Sequence, residues 1–320
     1  MPDEFMAELE AQRPQLLRHC YRMLGCFADA EDLVQDALGR ALQARKSYRG
    51  DAPLGHWLLR IATNGCLNLL KRHHHHLHLP QRESRPARFG DEIETLEETH
   101  WLTPAPDAQL FASPAEAAEK RESVALAFIA ILQHLPAKQR AVLLLRDVAG
   151  WPASEVAETL ELSVPAVNSA LHRARQSLRG AEEPVSKDQE PTAELLREYV
   201  RTWEEHDLKG LGALLHRDVV LAMPPYAAWF RGARNFERFV QTPRFAAFWN
   251  AGLRLRVTRA NGLPAVAFYL RVTRSTWRLH SLQAVRFSRG KLVEAVNFIG
   301  EHYLRGFDLP ARTVSKASTV

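Results

Sequence analysis

The spacing of apolar residues changes character once along this chain of 320 residues, near residue 190. From Glu8 to Lys71, and again from Ser113 to Leu178, apolar residues recur every three to four positions, which is the period of amphipathic helices. From Val219 onward they form short runs rich in β-branched and aromatic residues, separated by turn residues, as is typical of strands. We therefore expect a multidomain chain: two all-α helical domains followed by an α+β domain.

Two charged segments without regular periodicity divide the chain. The first, residues 73–112, begins with four consecutive histidines and ends in a proline-rich tract, and the second covers residues 180–190. They delimit three predicted domains, at residues 8–72, 113–180 and 191–305. We expect His73–Thr99 to be a mobile linker and Trp101–Asp107 to be more rigid.

The composition, with 46% apolar and 25% charged residues, is that of an ordinary soluble globular protein. No run of 18 apolar residues occurs, and the acidic segment Met1–Glu10 lacks the apolar core of a signal peptide, so no membrane association is expected. Three cysteines are too few for a disulfide framework, which favours the cytoplasm. The spacing of Cys20, Cys26 and His73–His76 does not fit a structural zinc site, so we expect neither a metal nor another cofactor.

Charge is distributed unevenly around the net value of +5. Residues 190–320 carry 20 basic and 11 acidic groups, whereas residues 81–125 carry 5 and 10. Opposite charges on two parts of one chain favour an intramolecular contact, which we expect near Trp101–Asp107. The basic surplus also fits an anionic partner such as DNA, or a merely solvated basic surface.

Local signals predict the ends of several elements. Asp29, followed three residues later by Asp32, indicates the N-cap of the second helix. The pattern predicts one continuous helix over Ala115–Leu132 and another over Pro136–Asp147. Ser288-Arg289-Gly290-Lys291 predicts a hairpin turn between two strands.

Residues 152–178 have the spacing of a helix-turn-helix. Ser163 is the expected N-cap of its second helix, which has an apolar face: Val167, Ala170, Leu171 and Ala174. The opposite face carries polar and basic side chains: Asn168, Ser169, His172, Arg173 and Arg175. A helix in the major groove uses such groups on base edges and phosphates. The same pattern fits a helical hairpin with a solvated basic face.

Two long motifs, one in each predicted helical domain, resemble those of the extracytoplasmic-function (ECF) branch of the sigma-70 factors. Leu135–Trp151 with Ala166–Arg175 is similar to the domain that reads the promoter −35 element. Asp29–Ala37 is similar to the polymerase-binding helix, and Tyr48–Asn64 to the −10-reading loop and helix. The resemblance implies these −35 residues: Ser163, Val164, Pro165, Asn168, Ser169, His172, Arg173 and Arg175.

The resemblance also implies a site for core RNA polymerase and a site for the −10 element. The polymerase patch comprises Asp32, Leu33, Val34, Gln35 and Asp36, where acidic and amide groups would pair with basic partner residues. Without the resemblance, the same residues read as a solvated helix face. The −10 residues are Tyr48, Arg49, Asp51, Trp57, Arg60, Asn64, Asn68, Lys71 and Arg72. Stacking on the aromatic residues suits melted DNA, although Tyr48 and, above all, Trp57 also suit core packing.

The third domain resembles the SnoaL-like cone, an α+β fold, over Leu195–Gly300. The resemblance also implies that Trp101, Pro104, Pro106 and Asp107 belong to an interdomain linker motif. Relatives of this fold include enzymes that use an acid–base group in the cone. The candidates here, His206, Asp207, Asp218 and His280, show no convincing pairing, so we expect a regulatory domain with a ligand or an intramolecular contact.

The sequence therefore predicts a non-enzymatic sigma factor that binds core RNA polymerase and promoter DNA and is regulated by its C-terminal domain. Two other functions remain open at this stage. One is a free-standing DNA-binding regulator that never binds polymerase. The other is a small-molecule enzyme with an accessory DNA-binding part.

Overall fold

A computed structural model describes residues 2–48, 50, 52–72, 77–83, 85–87, 95–97, 101–179 and 190–314. Internal contacts divide the chain into two units. The helical unit comprises residues 1–77 and 107–185, and the sheet unit comprises residues 78–106 and 186–320. The two helical segments predicted as separate domains thus share one unit, and most of the predicted linker belongs to the other.

Helices dominate the first unit and flank the sheet of the second. In chain order the described α-helices are α1 (Pro2–Ala11), α2 (Arg13–Leu24), α3 (Phe27–Gln43), α4 (Leu54–Arg72), α5 (Pro80–Glu83), α6 (Asp107–Leu110), α7 (Pro114–Lys120), α8 (Leu126–Gln133), α9 (Ala137–Leu143), α10 (Ala153–Leu160), α11 (Val164–Arg179), α12 (Ala193–Glu204), α13 (Leu208–Leu214), α14 (Ala233–Val240) and α15 (Pro243–Asn250). Helices α5 and α12 to α15 lie in the sheet unit.

Local backbone geometry sets the end of α2 and the start of α3. Gly25 has φ 74° and ends α2 in the left-handed conformation, which glycine adopts without steric cost. Because α3 then starts at Phe27 with Cys26 as N-cap, the prediction of Asp29 as N-cap is wrong. Asp29 instead lies in the first turn, where a carboxylate interacts favourably with the helix dipole.

The continuous helix predicted over Ala115–Leu132 is also wrong. The chain forms α7, then a 3-10 turn over Arg121–Val124, and α8 starts only after Ala125 takes an extended conformation with ψ 139°. Val124 and Leu126 on either side of this break are both buried. The helix break therefore coincides with the tertiary packing of these two side chains. The local sequence pattern does not indicate it.

Helices α10 and α11 form the predicted helix-turn-helix. The apolar positions at i, i+3, i+4 and i+7 of α11 are all buried: Val167, Ala170, Leu171 and Ala174. Glu161 takes the left-handed conformation in the turn, and the amide of Leu162 donates to the carbonyl of Ala157 at 2.9 Å. The Ser163 hydroxyl accepts a hydrogen bond from the amide of Ala166 at 3.3 Å, which confirms Ser163 as the N-cap.

The sheet unit is built on a mixed sheet of seven described strands. The strands are β1 (Leu215–Ala222), β2 (Trp229–Arg231), β3 (Leu253–Ala260), β4 (Leu263–Arg271), β5 (Thr276–Ser288), β6 (Lys291–Ile299) and β7 (Arg312–Val314). Their order is β2-β1-β6-β5-β4-β3, and β7 pairs with β5. Strands β1 and β6 are parallel, and the other pairs are antiparallel. Ser288 pairs with Lys291, and the positive φ angles of Arg289 and Gly290 form the predicted hairpin turn.

Parts of the predicted mobile linker pack within the sheet unit. Leu79 is 2% exposed. The amide of Ala87 donates to the carbonyl of Trp229 at 2.7 Å, and that of Leu96 to the carbonyl of Pro225 at 3.1 Å. The backbone and apolar groups of these described residues thus have partners within the sheet unit. The charge of the segment and its lack of periodicity did not indicate this packing. The histidines 73–76 lie outside the described residues.

Candidate nucleic-acid interface

The second helix of the helix-turn-helix separates a buried face from a polar one. All predicted −35 residues are exposed: Ser163, Val164, Pro165, Asn168, Ser169, His172, Arg173 and Arg175. The first three lie at the N-terminal end of the helix, where the cap leaves backbone amides available to an anion. The helix therefore offers amide, hydroxyl, imidazole and guanidinium groups on one continuous surface, which matches what base edges and phosphates require.

The two arginines of this surface differ in their partners. The guanidinium of Arg175 makes two hydrogen bonds to the carboxylate of Asp147, at 2.8 and 2.6 Å. These bonds raise the pKa of Arg175 and hold its side chain in one orientation. Within the described residues, Arg173 has no ion-pair partner. Asp147 is 28 residues away and is brought to Arg175 only by folding, so no local pattern indicated this partner.

The predicted −10 face lies on α4 and the loop before it. Arg60, Asn64, Asn68, Lys71 and Arg72 are all exposed. The ring of Tyr48, in the loop, stacks on that of Trp57, in the first turn of α4, with centroids 5.1 Å apart. The hydroxyl of Tyr48 donates to the carbonyl of Ala52 at 2.9 Å. Both residues are half-buried, so neither is wholly enclosed in the core. Arg49 and Asp51 lie outside the described residues.

Acidic residues of the helix-turn-helix contact the −10 face. Arg60 pairs with Glu158 of α10 at 2.9 Å, and His56 contacts Glu155 at 2.9 Å. The His56 ring also stacks on Trp151 with centroids 4.9 Å apart. Helix α4 itself has no acidic residue on this face. Folding brings two glutamates of α10, nearly 100 residues away in the sequence, into contact with it.

Three buried arginines hold α2 against the second helical segment. Arg140 donates to the carbonyls of Met23, Gln133 and Leu135, and Arg22 donates to the carbonyl of Ser123 at 2.8 Å. Arg18 donates to the carbonyl of Leu110. Burial lowers the pKa of Arg22 and of Arg140 to about 10, so both remain cations at neutral pH. The sequence pattern did not indicate this buried arginine seam, because arginines within an amphipathic helical pattern are usually solvated.

The predicted polymerase patch on α3 is only partly exposed. Asp32, Gln35 and Asp36 are exposed, and Leu33 is half-buried against Gly65 of α4, where an added Cβ would lie 3.3 Å from a Leu33 methyl group. Val34 is 0% exposed. The expected contribution of Val34 to a contact surface is therefore wrong, because its position on the helix points into the core formed with α2 and α4.

The predicted linker motif is divided between the units. Trp101, Pro104 and Pro106 belong to the sheet unit, and Asp107 begins α6 of the helical unit. The indole N–H of Trp101 donates to the carbonyl of Pro225 at 3.1 Å, and the amide of Ala105 donates to the side chain of Asn261 at 2.9 Å. The expected contact of this tract with the C-terminal domain is present, and it rests on hydrogen bonds and burial.

The acid–base candidates of the sheet unit do not converge. Asp207 caps α13 through the amide of Gly210 at 2.7 Å and pairs with Arg201 at 2.9 Å. His206 contacts the carbonyl of Trp249 at 2.6 Å, and Asp218 is exposed on β1. Of these candidates only His280 lines the internal cavity. The described residues thus provide no carboxylate–histidine pair for catalysis in that cavity.

None of the described helices combines the length and the hydropathy needed to cross a bilayer. Across the same described residues, no group of three or more histidine, cysteine, aspartate or glutamate side chains is arranged to hold a metal ion. Cys20 instead contacts Cys66 in the core, where burial raises the pKa of the Cys20 thiol.

Comparison with known families identifies three segments. Residues 9–76 match sigma-70 region 2, residues 125–178 match sigma-70 region 4, and residues 196–295 match the SnoaL-like domain.

Among individual proteins, the chain is 39% identical to the ECF RNA polymerase sigma factor SigG of Mycobacterium tuberculosis, over 96% of this chain and 84% of the relative. It is 27% identical to SigJ of the same species, over 73% of this chain and 72% of the relative. The crystal structure of Mycobacterium tuberculosis SigJ shares the fold, with a TM-score of 0.56 at 22% identity, covering 95% of this chain and 99% of that one. Together, the extent of the SigG match and the order of the matched segments show that this chain belongs to the ECF RNA polymerase sigma factors and carries a C-terminal SnoaL-like domain.

Proposed function

We propose that this sigma factor directs core RNA polymerase to promoters by reading the −35 element with α11 and the −10 element with α4 and its preceding loop. The observation that carries the proposal is the division of α11. Its four apolar positions are buried, and every predicted contact residue on the opposite side is exposed. A helix that presents this surface from a helix-turn-helix fits the major groove.

The contact with core polymerase is assigned to the exposed part of the α3 patch. Asp32, Gln35 and Asp36 supply two carboxylates and an amide for basic partner residues. The amide oxygen of Gln35 accepts a hydrogen bond from Arg13 at 3.0 Å, so its side chain is already oriented. Leu33 adds apolar area at the edge, and Val34 supports the helix from below.

The sheet unit is assigned a regulatory role. The support is that the tract Trp101–Pro106, which directly precedes α6 in the chain, belongs to this unit and is held there by hydrogen bonds. Catalysis is not part of the proposal, since no acid–base pair lines the described cavity. A sigma factor meets its polymerase in the cytoplasm, which is the compartment proposed here.

Transcription from a promoter library with core polymerase and the full chain tests the proposal. Arg173→Ala is expected to reduce promoter binding about 5-fold to 150-fold, the effect of losing one base-edge contact of about 1–3 kcal/mol. If Arg173 contacts phosphate instead, all promoters weaken alike and the salt slope falls by about one. Arg197→Ala, an exposed arginine of α12 paired with Glu194, is the matched control and is expected to leave binding unchanged.

The polymerase contact is tested separately in a titration with core polymerase in the absence of DNA. Replacing Asp32 and Asp36 together by arginine is expected to weaken binding by about tenfold or more, since like charges across an interface are costly. Helix content is expected to stay constant, because both residues are exposed. An unchanged affinity would show that α3 is not the docking surface.

A further inference from the structure

The sheet unit encloses a cavity of about 160 Å³ between its helices and one face of the sheet. Aromatic and aliphatic side chains form most of the lining, including Phe236, Phe245, Phe248 and Phe268. A dry apolar cavity of roughly 150 Å³ is large enough to bind a benzene ring. The size and lining therefore suit a molecule of one or two small rings.

Three polar atoms at this cavity make no hydrogen bond of normal geometry to any described residue, although one of them, on Trp203, lies near the hydroxyl of Tyr199. They are the indole N–H of Trp203, Nδ1 of His280 and the side-chain oxygen of Asn297. Trp203 is 5% exposed. By contrast, the hydroxyl of Tyr199, on the same lining, donates to the side-chain oxygen of Gln283. Buried polar groups are normally paired, so three unpaired ones around a single cavity point to a hydrogen-bonding ligand.

A β-bulge directs His280 into the cavity. Phe268 pairs with Ser281 and Tyr269 with Leu279, which leaves His280 as the extra residue of β5. Bulges re-aim side chains in this way. Leu279 packs with the cluster on the other face of the sheet, whereas Gln283 and His280 both line the cavity. Asn297 lies opposite Gln283 on β6, so the polar lining residues of the two strands are neighbours.

The chemistry of the lining selects the charge of the ligand. No aspartate, glutamate, lysine or arginine is among the described residues that line the cavity. Burial, with the nearby Arg278, lowers the pKa of His280, so its imidazole is neutral at pH 7. An ionised ligand would enter such a site without a counter-charge. The donor on Trp203 and the acceptor on Asn297 match a hydroxyl group, which both accepts and donates.

We propose that this cavity is a binding site for an uncharged, mostly apolar molecule of one or two rings that carries a hydroxyl group. The hydroxyl lies toward Trp203, His280 and Asn297, and the rings lie against the phenylalanines. The site makes the sheet unit a small-molecule sensor. This deepens the regulatory role proposed above, but its test uses neither DNA nor polymerase, so the two proposals fail independently.

Calorimetric titration of the full chain with three probes tests the site: 2-naphthol, naphthalene and 2-naphthoate. 2-Naphthol is expected to bind, naphthalene about tenfold more weakly because it makes no hydrogen bonds, and 2-naphthoate not measurably. Equal binding of 2-naphthoate and 2-naphthol would overturn the assignment of an uncharged ligand. Absence of binding by all three probes would overturn the site.

Two variants locate the hydroxyl-binding end of the cavity. Asn297→Leu is expected to reduce 2-naphthol affinity about tenfold and to leave naphthalene affinity within about twofold. Thr313→Val, which removes another buried unpaired hydroxyl from β7 outside the cavity lining, is the matched control and is expected to leave both affinities unchanged. If Asn297→Leu weakens both probes equally, the polar end does not select the ligand.

A filled cavity provides the final check. Ala295→Leu adds three carbons at a lining position and is expected to abolish binding of 2-naphthol and naphthalene. If this variant loses its fold by circular dichroism, Ala222→Val at another lining position adds less volume and is expected to weaken binding of both probes. Retained binding in a folded Ala295→Leu protein places the probes elsewhere and overturns the proposal.

Discussion

The two units differ in what surrounds their buried polar groups. In the helical unit, the guanidinium of Arg140 reaches three backbone carbonyls, although its Nε has no partner among the described residues. Arg22 donates to the carbonyl of Ser123, and Arg18 donates to that of Leu110 and pairs with Glu116 at 2.8 Å. In the sheet unit, Trp203, His280 and Asn297 surround a cavity with unpaired atoms. Buried polar groups that are satisfied internally hold a fold together, whereas unpaired ones beside a cavity indicate that something outside the chain completes them.

The largest effect is expected from breaking the buried arginine seam. Arg140→Met keeps the apolar stem but leaves the carbonyls of Met23, Gln133 and Leu135 without this donor. Each buried orphan acceptor costs about 1–3 kcal/mol, so we expect a loss of about 3 kcal/mol or more in the free energy of unfolding of the helical unit. Denaturant unfolding followed by circular dichroism at a helical wavelength measures it.

The exposed Arg197→Met is the control for the seam, because this side chain is 70% exposed. It is expected to change the free energy of unfolding by less than about 0.5 kcal/mol. Equal effects of the two variants would mean that the seam contributes no more than a surface pair, and the contrast between the units would fail.

A second test uses pH and the buried His19 of α2. Burial, together with nearby Arg22, lowers the pKa of His19 to about 3. Its Nε2 lies 2.8 Å from the hydroxyl of Thr63, which itself donates to the carbonyl of Leu59. In the unfolded chain the histidine titrates near 6.5, so between about pH 6.5 and 3 the unfolded state binds more protons.

The stability contributed by neutral His19 is therefore complete above pH 6.5 and is lost as the pH falls. The loss is about 1.4 kcal/mol per pH unit, or about 2 kcal/mol at pH 5. Unfolding of the wild-type chain and of His19→Gln at pH 7 and pH 5 isolates this residue, because carboxylates contribute equally to both proteins. An identical pH dependence in the two proteins would contradict the buried neutral state.

A smaller effect is expected from the exposed contacts between α4 and α10. Arg60 and Glu158 are 47% and 69% exposed in their ion pair, and such pairs contribute about 0–1 kcal/mol. Glu158→Gln is thus expected to leave the free energy of unfolding within about 1 kcal/mol. It also frees Arg60 for DNA, so binding to a −10 oligonucleotide should improve a few-fold, which fluorescence anisotropy measures. Weaker binding would show that Arg60 does not contact the DNA.

The smallest effect on stability is expected in the sheet unit. Asn297→Leu removes an unpaired side-chain oxygen from an apolar cavity and breaks no described hydrogen bond of that oxygen. We expect the free energy of unfolding to change by less than about 1 kcal/mol, in the stabilising direction. Thermal unfolding of the ligand-free chain measures it. A loss as large as that of Arg140→Met would make Asn297 a structural group like those of the seam.

Predictions from sequence succeeded where the signal was local. The faces of α11 follow from residues three and four apart, and the hairpin at Ser288–Lys291 follows from its two central residues, because helices and tight turns are formed by neighbours in the chain. The prediction of Asp29 as an N-cap failed because α2 ends at Gly25 and α3 already begins at Phe27. Prediction failed again at Ala125, where the helix breaks between two buried residues.

Residue identity and short-range spacing are enough to indicate the family, the order of the segments and the chemical character of the exposed helix faces. Folding is needed to bring Glu158 to Arg60 and Arg140 to Met23, and to place His280 on a bulge beside the cavity. These contacts join residues far apart in the chain, or depend on the register of two strands. Their energies arise from burial and hydrogen-bond geometry, which no local pattern contains.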